Sequence, residues 1–479
     1  MHKFGWKFQN SYQELPPILF EEATPKSFKA PKGLLFNELL AYSLGIETDW
    51  FNTHDATEFL SGAARPIGSQ PIAQAYAGHQ FGHFTLLGDG RAILLGEHQV
   101  TEDKTVDIQL KGCGPTPYSR RGDGLATLNS MLKEYIFGEA MHALGIPTSR
   151  SLGIVETGEW VMRERPYRGA ILTRVASSHL RIGTFEFARL HSTDTLMALT
   201  DYAIKRHDPD LANDANRYLI FLERVIDRQA FLVAKWMSVG FVHGVMNTDN
   251  ISIAGETIDY GPCAFIDEYD PRAVFSSIDR QGRYAYGNQP HIMHWNLCRF
   301  AETLLPLIHP DNIDESIKQV ETVLTTFPHQ YETYWQQFFS QKLGFDSSSQ
   351  QINALIHDFL RIMQSEALDF TNTFHQLATG TLTNPSFKQW LNSWELELSR
   401  NNQTREIAQQ RMQEVNPVIT PRNHILESVI YEAGETGKLD SFHDLLAALR
   451  NPYSPTNRDH VLHSPKPSSI PRTVTYCGT

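Results

Sequence analysis

The chain has 479 residues, 41% of them apolar and 20% charged, with a formal net charge of −12. That composition suits a soluble globular protein of two or three domains or one large two-lobed unit, and the acidic balance argues against a broad nucleic-acid footprint and an anionic membrane surface. Four scattered cysteines without metal spacing, no apolar run of membrane-spanning length and no apolar signal core at the N-terminus predict a reducing, cytoplasmic setting.

Residues 1–65 are broken by Pro16, Pro17, Pro25 and Pro31, with a short helix predicted over Glu38 to Leu44. They read as an extension packed on the core. Residues 66–125 are dense in glycine. Gly88-Asp89-Gly90-Arg91 joins two apolar runs, Phe84–Leu87 and Ala92–Leu95, and predicts a strand–turn–strand unit whose backbone could approach a phosphate. Val106, Ile108 and Leu110 alternate with Asp107, Gln109 and Lys111, the period of a strand, which sets Lys111 on the face opposite the aliphatics. A lysine there can serve as a point charge for phosphate or be an ordinary solvated lysine.

Ala126 to Leu144 is predicted as a helix, with Leu128, Met131, Leu132, Tyr135 and Ile136 on one stripe and Gly145-Ile146-Pro147 ending it. Glu134 borders that stripe and could pair with Lys111; Lys133 and Glu139 are expected to be exposed. Short strands are expected near Leu152–Val155, Glu159–Arg163 and Ala170–Val175. Arg174 and Arg181 follow as a rim pair or as a clamp on phosphate oxygens. Two arginines and one lysine are too few for a triphosphate, so a divalent metal is expected as well.

Ala215 to Val239 reads as a long amphipathic helix that would hold the next loop rigid. In HGVMNTDNISIAGETIDYG (His243–Gly261), a hairpin is predicted to bring Asn250 opposite Asp259, where an amide oxygen and a carboxylate could share one hard cation. Asp249 would then face the reacting group. The layout matches a kinase catalytic loop followed by a metal-binding Asp, with Tyr260 in place of the usual Phe; the bland alternative is a surface hairpin. Helices are expected from Asn312 to about Trp394 and near Asp440–Leu449, before a Pro/Ser-rich tail.

Five motifs in order, YAGHQFG, LGDGR, LKGCGPTPYSRRGDG, GEAMHALGIPT and HGVMNTDN…TIDYGP, resemble the selenoprotein O (SelO/YdiU) family of kinase-like proteins, densely over residues 66–300 and more loosely over 416–453. The resemblance implies an α+β, protein-kinase-like two-lobed fold: an N-terminal extension (1–65), a β-rich N-lobe (66–175), a helical C-lobe (176–400) and a C-terminal helical segment and tail (401–479). It implies a protein adenylyltransferase that binds ATP flipped relative to kinases and moves AMP to Ser, Thr or Tyr hydroxyls of protein substrates. By motif match, Asp249 would be the base, and Asn250 and Asp259 the ligands of Mg²⁺ or Mn²⁺. Gly88, Gly90, Arg91, Lys111, Asp123, Gly124, Arg174, Arg181 and Asp259 would contact nucleotide, with Glu134 supporting Lys111.

The sequence departs from the family in three places. Lys133 stands where Arg is usual before Glu134. The chain ends Cys477-Gly478-Thr479 rather than with a Cys or selenocysteine and two serines. Phe275 occupies the place of the family's partner cysteine. These changes argue against the family's disulfide and leave a Cys263–Cys477 bridge as the alternative. Uridylyl transfer from UTP, ordinary γ-phosphoryl transfer and a silent nucleotide-binding scaffold are the competing functions.

Overall fold

The computed structural model describes residues 3–471 and 473–476. Its strands in the first half are β1 (Phe8–Gln9), β2 (Phe20–Glu22), β3 (Lys32–Phe36), β4 (Ile72–Gln74), β5 (Ala77–Gln80), β6 (His83–Leu86), β7 (Ala92–Gln99), β8 (Thr105–Lys111), β9 (Arg150–Met162) and β10 (Pro166–Ala176). An antiparallel sheet has the order β2-β4-β7-β8-β10-β9-β3, with β1 beside β7, while β5 and β6 form a separate hairpin. Helices α1 (Glu38–Ser43), α2 (His54–Ser61), α3 (Leu128–Ala143), α4 (Ile182–His191), α5 (Thr193–His207), α6 (Arg217–Val239) and α7 (Gln289–Ile308) come next in the count, and further helices fill Ile313 to Leu449. The fold is α+β with antiparallel sheets. No helix of the described residues is long and apolar enough to cross a membrane.

The alternation of β8 explains how the layers stack. Val106, Ile108 and Leu110 join Trp50, Phe51, Phe59 and Leu60 of the first 65 residues in one core. Asp107, Gln109 and Lys111 point the other way: Lys111 meets Glu134 of α3, Gln109 meets Asp89 and Arg174, and Asp107 meets His179 and Arg206 of α5, while Met131, Leu132, Tyr135 and Ile136 of α3 belong to the second, larger core. Both faces of the sheet are therefore covered, and Lys111 is buried, not solvated.

The strands expected on either side of Gly88–Arg91 are present as β6 and β7, but β6 pairs with β5 and β7 with β8, so the turn steps between two sheets. Three expectations change. The runs at 152–155 and 159–163 are one strand, β9, continued through Gly158 at φ 72° and a register shift against β10. Glu139 is buried, held by Arg150 Nε at 2.6 Å and Arg450 Nη2 at 2.9 Å; Arg450 comes from 311 residues away, where periodicity gives no hint. Lys133 is half-buried, its Nζ 5.7 Å over the Phe137 ring.

Candidate active site

Lys111 at the end of β8 donates to Glu134 Oε2 on α3 at 2.6 Å and to Asp259 Oδ1 at 2.9 Å. Strand alternation and helix phase thus place a cation and a carboxylate face to face, and the loop after α6 brings in the second acid. Arg174 on β10 completes the cluster. Its Nε reaches Glu134 Oε1 at 2.8 Å, its Nη2 reaches Glu134 Oε1 and Asp259 Oδ1, the latter at 2.7 Å, and its Nη1 reaches Gln109 Oε1 at 3.3 Å. Arg174 is 1% exposed. Its guanidinium stands behind the two carboxylates, and the open phosphate clamp expected of it is not the arrangement found.

Arg181 is buried as well, at 2% exposed. Its Nη2 is 3.6 Å from Asp259 Oδ2, its Nη1 is 3.5 Å from Asp89 Oδ1, and its guanidinium sits 4.5 Å over the Tyr76 ring. Burial raises the pKa of Glu134, but Arg174 and Lys111 outweigh it and hold the carboxyl below its ordinary range. For Asp259 the burial penalty is overcome by Arg174, Lys111 and Arg181, which keep it well below the usual carboxylate range. Asp259 is the member that faces out, with 24% of its side chain exposed, and its backbone takes φ 59°.

The segment from Asn250 to Asp259 is not a regular hairpin. Ile251 bridges Thr257, a register that sets Asn250 opposite Ile258, one residue short of Asp259. The turn at Gly255 (φ 73°) is gripped from outside instead: Ser252 bridges Arg181, and Thr257 bridges Thr148. Outside pairing replaces the internal ladder that alternation alone would predict. Helix α6 fixes the same turn, with Gln229 Nε2 donating to Ser252 O at 2.6 Å and Trp236 Nε1 to Thr257 Oγ1 at 2.9 Å. Tyr260 is buried against Phe137, and its hydroxyl bonds Thr148 Oγ1, which accounts for a Tyr where kinases carry Phe.

Asp249 sits in a 3₁₀ turn, Thr248–Asn250, almost fully buried. Burial pushes its carboxyl up to about 6. Its Oδ2 is 3.4 Å from Gln80 Nε2, and its Oδ1 has no hydrogen-bond partner. A Cβ on Gly78 would lie 2.2 Å from that Oδ1, so strand β5 rests directly on the carboxylate. Asn250 Nδ2 donates to Val245 O at 3.1 Å, which leaves its amide oxygen for another partner.

The glycine turn and the loop after Lys111 come together. Gly88 takes φ 147°, and a Cβ there would strike the Tyr118 ring at 2.3 Å. Ser119 Oγ donates to Gly90 O, Thr116 Oγ1 to Asp89 O at 2.6 Å, and Gly112 N to Arg91 O at 2.7 Å. Gly124 (φ 67°) packs on Gly114, and a Cβ would lie 2.1 Å from Gly114 O. Asp123 is exposed and held by Arg163 at 2.8 and 3.1 Å, the bonds that chiefly lower its pKa. Cys113 and Cys263 are buried, with thiols pushed up to about 12 by burial, and Phe275 is buried too. Cys477, the partner considered for Cys263, lies outside the described residues.

Sequence reasoning missed Asp89, Gln109, Tyr76, Gly78 and Gln80 as parts of this site. Asp89 was readable only as the middle of a turn. Gln109, Gly78 and Gln80 lie in strands whose faces look solvated until α3 and the Asp249 loop cover them, and Tyr76 lies in the short link between β4 and β5.

Comparison with known proteins adds an independent finding. A family model described as protein adenylyltransferase SelO matches residues 3–450. Relatives each named protein nucleotidyltransferase YdiU include one from Geobacillus kaustophilus (strain HTA426), 50% identical over 483 positions covering 99% of each chain. Another, from Clostridium perfringens (strain SM101 / Type A), is 50% identical over 485 positions, covering 100% of this chain and 98% of the relative.

Proposed function

The chain belongs to the SelO family of protein adenylyltransferases, and on that premise we propose that it transfers AMP from ATP to Ser, Thr or Tyr hydroxyls of protein substrates in a metal-dependent reaction, with ATP flipped relative to protein kinases. We read strands β4–β10 with α3 as the N-lobe (66–175) and the helical part as the C-lobe (176–400) of a kinase-like arrangement, flanked by residues 1–65, whose β1–β3 extend the N-lobe sheet, and by 401–479, in a cytoplasmic protein. The observation that carries this is the joining of Lys111, Glu134 and Asp259 within hydrogen-bond distance, with Asp249 close enough to feel the charges of Arg181 and Asp259.

In this reading Lys111 and Arg181 meet phosphate oxygens, with Arg174 setting the charge behind them. Gly88, Gly90 and Arg91 line the nucleotide, and Asp123 and Gly124 contact it. Two oxygen ligands, the Asp259 carboxylate and the free Asn250 amide oxygen, fit a hard cation such as Mg²⁺ or Mn²⁺ that keeps water and phosphate for its other positions. When bound, that ion supplies positive charge to the phosphates. Asp249 takes the proton from the acceptor hydroxyl, whose oxygen bonds to the α-phosphorus as the bond to the leaving pyrophosphate breaks.

With acceptor protein present, label from α-labelled ATP should enter protein and label from γ-labelled ATP should not. The reverse result assigns γ-phosphoryl transfer, UTP outcompeting ATP assigns uridylyl transfer, and no label from either supports a scaffold. A base titrating near 6 also sets a pH dependence. The proton-accepting form falls about tenfold per unit below that value, so single-turnover transfer should rise to a plateau above about pH 7. A flat profile from pH 5 to 8 would remove Asp249 as the base.

A further inference from the structure

The chemistry above leaves a buried cluster beside Asp249 without a task. Glu186 on α4 accepts from Thr248 Oγ1 at 2.6 Å through Oε2 and meets His79 Nδ1 at 2.5 Å through Oε1. Thr248 immediately precedes Asp249, and His79 lies in the middle of β5. His79 N also donates to Thr248 Oγ1 at 2.7 Å, which closes a three-residue ring of contacts. The His79 ring packs edge-on against Trp295 of α7 and Phe84 of β6, with centroids 5.4 and 5.2 Å away.

We propose that Glu186 is a positioning residue: gripping His79 with one carboxylate oxygen and Thr248 with the other, it pins the hairpin Ala77–Leu86 onto the Asp249 loop and sets the gap through which an acceptor hydroxyl reaches that carboxylate.

A two-stranded hairpin by itself is marginal in water. Here β5 and β6 form a sheet of two strands, so their order depends on what β5 rests on. The outer strand gives little: Phe84 and Leu86 are 44% and 54% exposed. The inner strand is tied down at successive residues. Ala77 O faces Gly183, where a Cβ would lie 2.0 Å away; Gly78 lies against Asp249; and Gln80 reaches Asp249 Oδ2. Phe81 N donates to Asn247 Oδ1 at 3.0 Å, which also accepts from Tyr284 OH.

Of the groups tying hairpin to loop, Glu186 is an acid that holds both at once, and it does so from α4, the helix that begins directly after Arg181. The same helix therefore relates the phosphate side of the cleft to the acceptor side. The hairpin covers Asp249 Oδ1, so its height above the loop governs access of the acceptor rather than of ATP.

This assignment rests on the adenylyl-transfer reading for its kinetic consequence, but not for its structural one. In the full-length protein, Glu186→Gln should raise amide hydrogen exchange across 77–86 by about tenfold or more and leave exchange in α3 unchanged. ATP affinity and the KM for ATP should stay within about twofold, while kcat for AMP transfer falls by about tenfold or more. His79→Ala should do the same, and the double variant should be no worse than either, because two residues acting as one unit are not additive. Thr248→Val cuts the grip from the loop side and serves if Glu186→Gln does not fold. Unchanged exchange over 77–86, or independent multiplying effects of His79 and Glu186, overturns the proposal. If the wild-type protein moves no AMP, the exchange data and the coupling still decide it, and only the function reading fails.

Discussion

Asp249→Ala is expected to lower AMP transfer by about 10²- to 10⁴-fold while ATP affinity stays within about twofold. The carboxylate touches neither Lys111, Glu134, Arg174 nor Arg181 through any hydrogen bond, so its removal leaves the phosphate-side cluster as it was. Stability gives the more distinctive half of the result. Asp249 is buried, its Oδ1 is unpartnered, and its pKa is pushed up to about 6 from 3.8. A group whose folded-state pKa exceeds its unfolded value binds more protons when folded, so stability falls as pH rises from about 4 to 6, and the full penalty stands above that window. Two units are worth on the order of 3 kcal/mol. Alanine removes that penalty and leaves a small cavity against Gly78, so the variant should melt no lower than wild type at pH 7.5. Intact-mass detection of AMP on acceptor, with a thermal melt of the same preparation, checks both halves. Undiminished transfer would strike out Asp249 as the base, and a sharp loss of stability would show that its carboxylate is structural.

Alternation and helical phase were enough to pair Lys111 with Glu134, because both signals lie within one strand and one helix. They could not say that both arginines would be buried, or against which acids. Arg174 and Arg181 look alike in sequence, but Arg174 lies on β10 between β8 and β9 and meets Glu134 and Asp259, whereas Arg181 precedes α4 and meets Asp89 and Asp259. Register failed for a related reason. The segment around Gly255 reads as a self-contained hairpin, yet its hydrogen bonds go to Leu180, Ile182, Pro147 and Ser149. These partners are about 70 to 110 residues away, and no local pattern records them. Glu139 was misjudged in the same way, since a polar residue beside an apolar stripe looks exposed until a distant cation arrives.

Arg174→Met carries the largest expected loss of stability, about 3–5 kcal/mol at neutral pH, because it leaves two buried carboxylates with too little positive charge. Glu134 Oε1 loses both of its Arg174 bonds, and Asp259 Oδ1 keeps Lys111 alone. Methionine fills the volume of the side chain's stem, so the loss is electrostatic rather than a packing void. The sign with pH follows from the wild-type shifts. Glu134 and Asp259 both have pKa values held below normal, so their contribution is complete above about pH 5 and is lost as pH falls toward their folded-state values. Without Arg174 the two acids repel each other and take up protons more readily. The gap between variant and wild type should therefore be widest at pH 7.5 and narrow by pH 4.5, measured by denaturant midpoints at each pH. Adding Glu134→Leu should restore much of the stability, since a buried pair replaced as a whole by apolar groups is often neutral, whereas removing one partner is not. The double variant should still transfer no AMP, because Lys111 loses the carboxylate that positions it toward Asp259 and the phosphates. A single variant as stable as wild type at pH 7.5 would mean that the cluster is already solvated, and the charge arrangement drawn around Asp259 would fall with it.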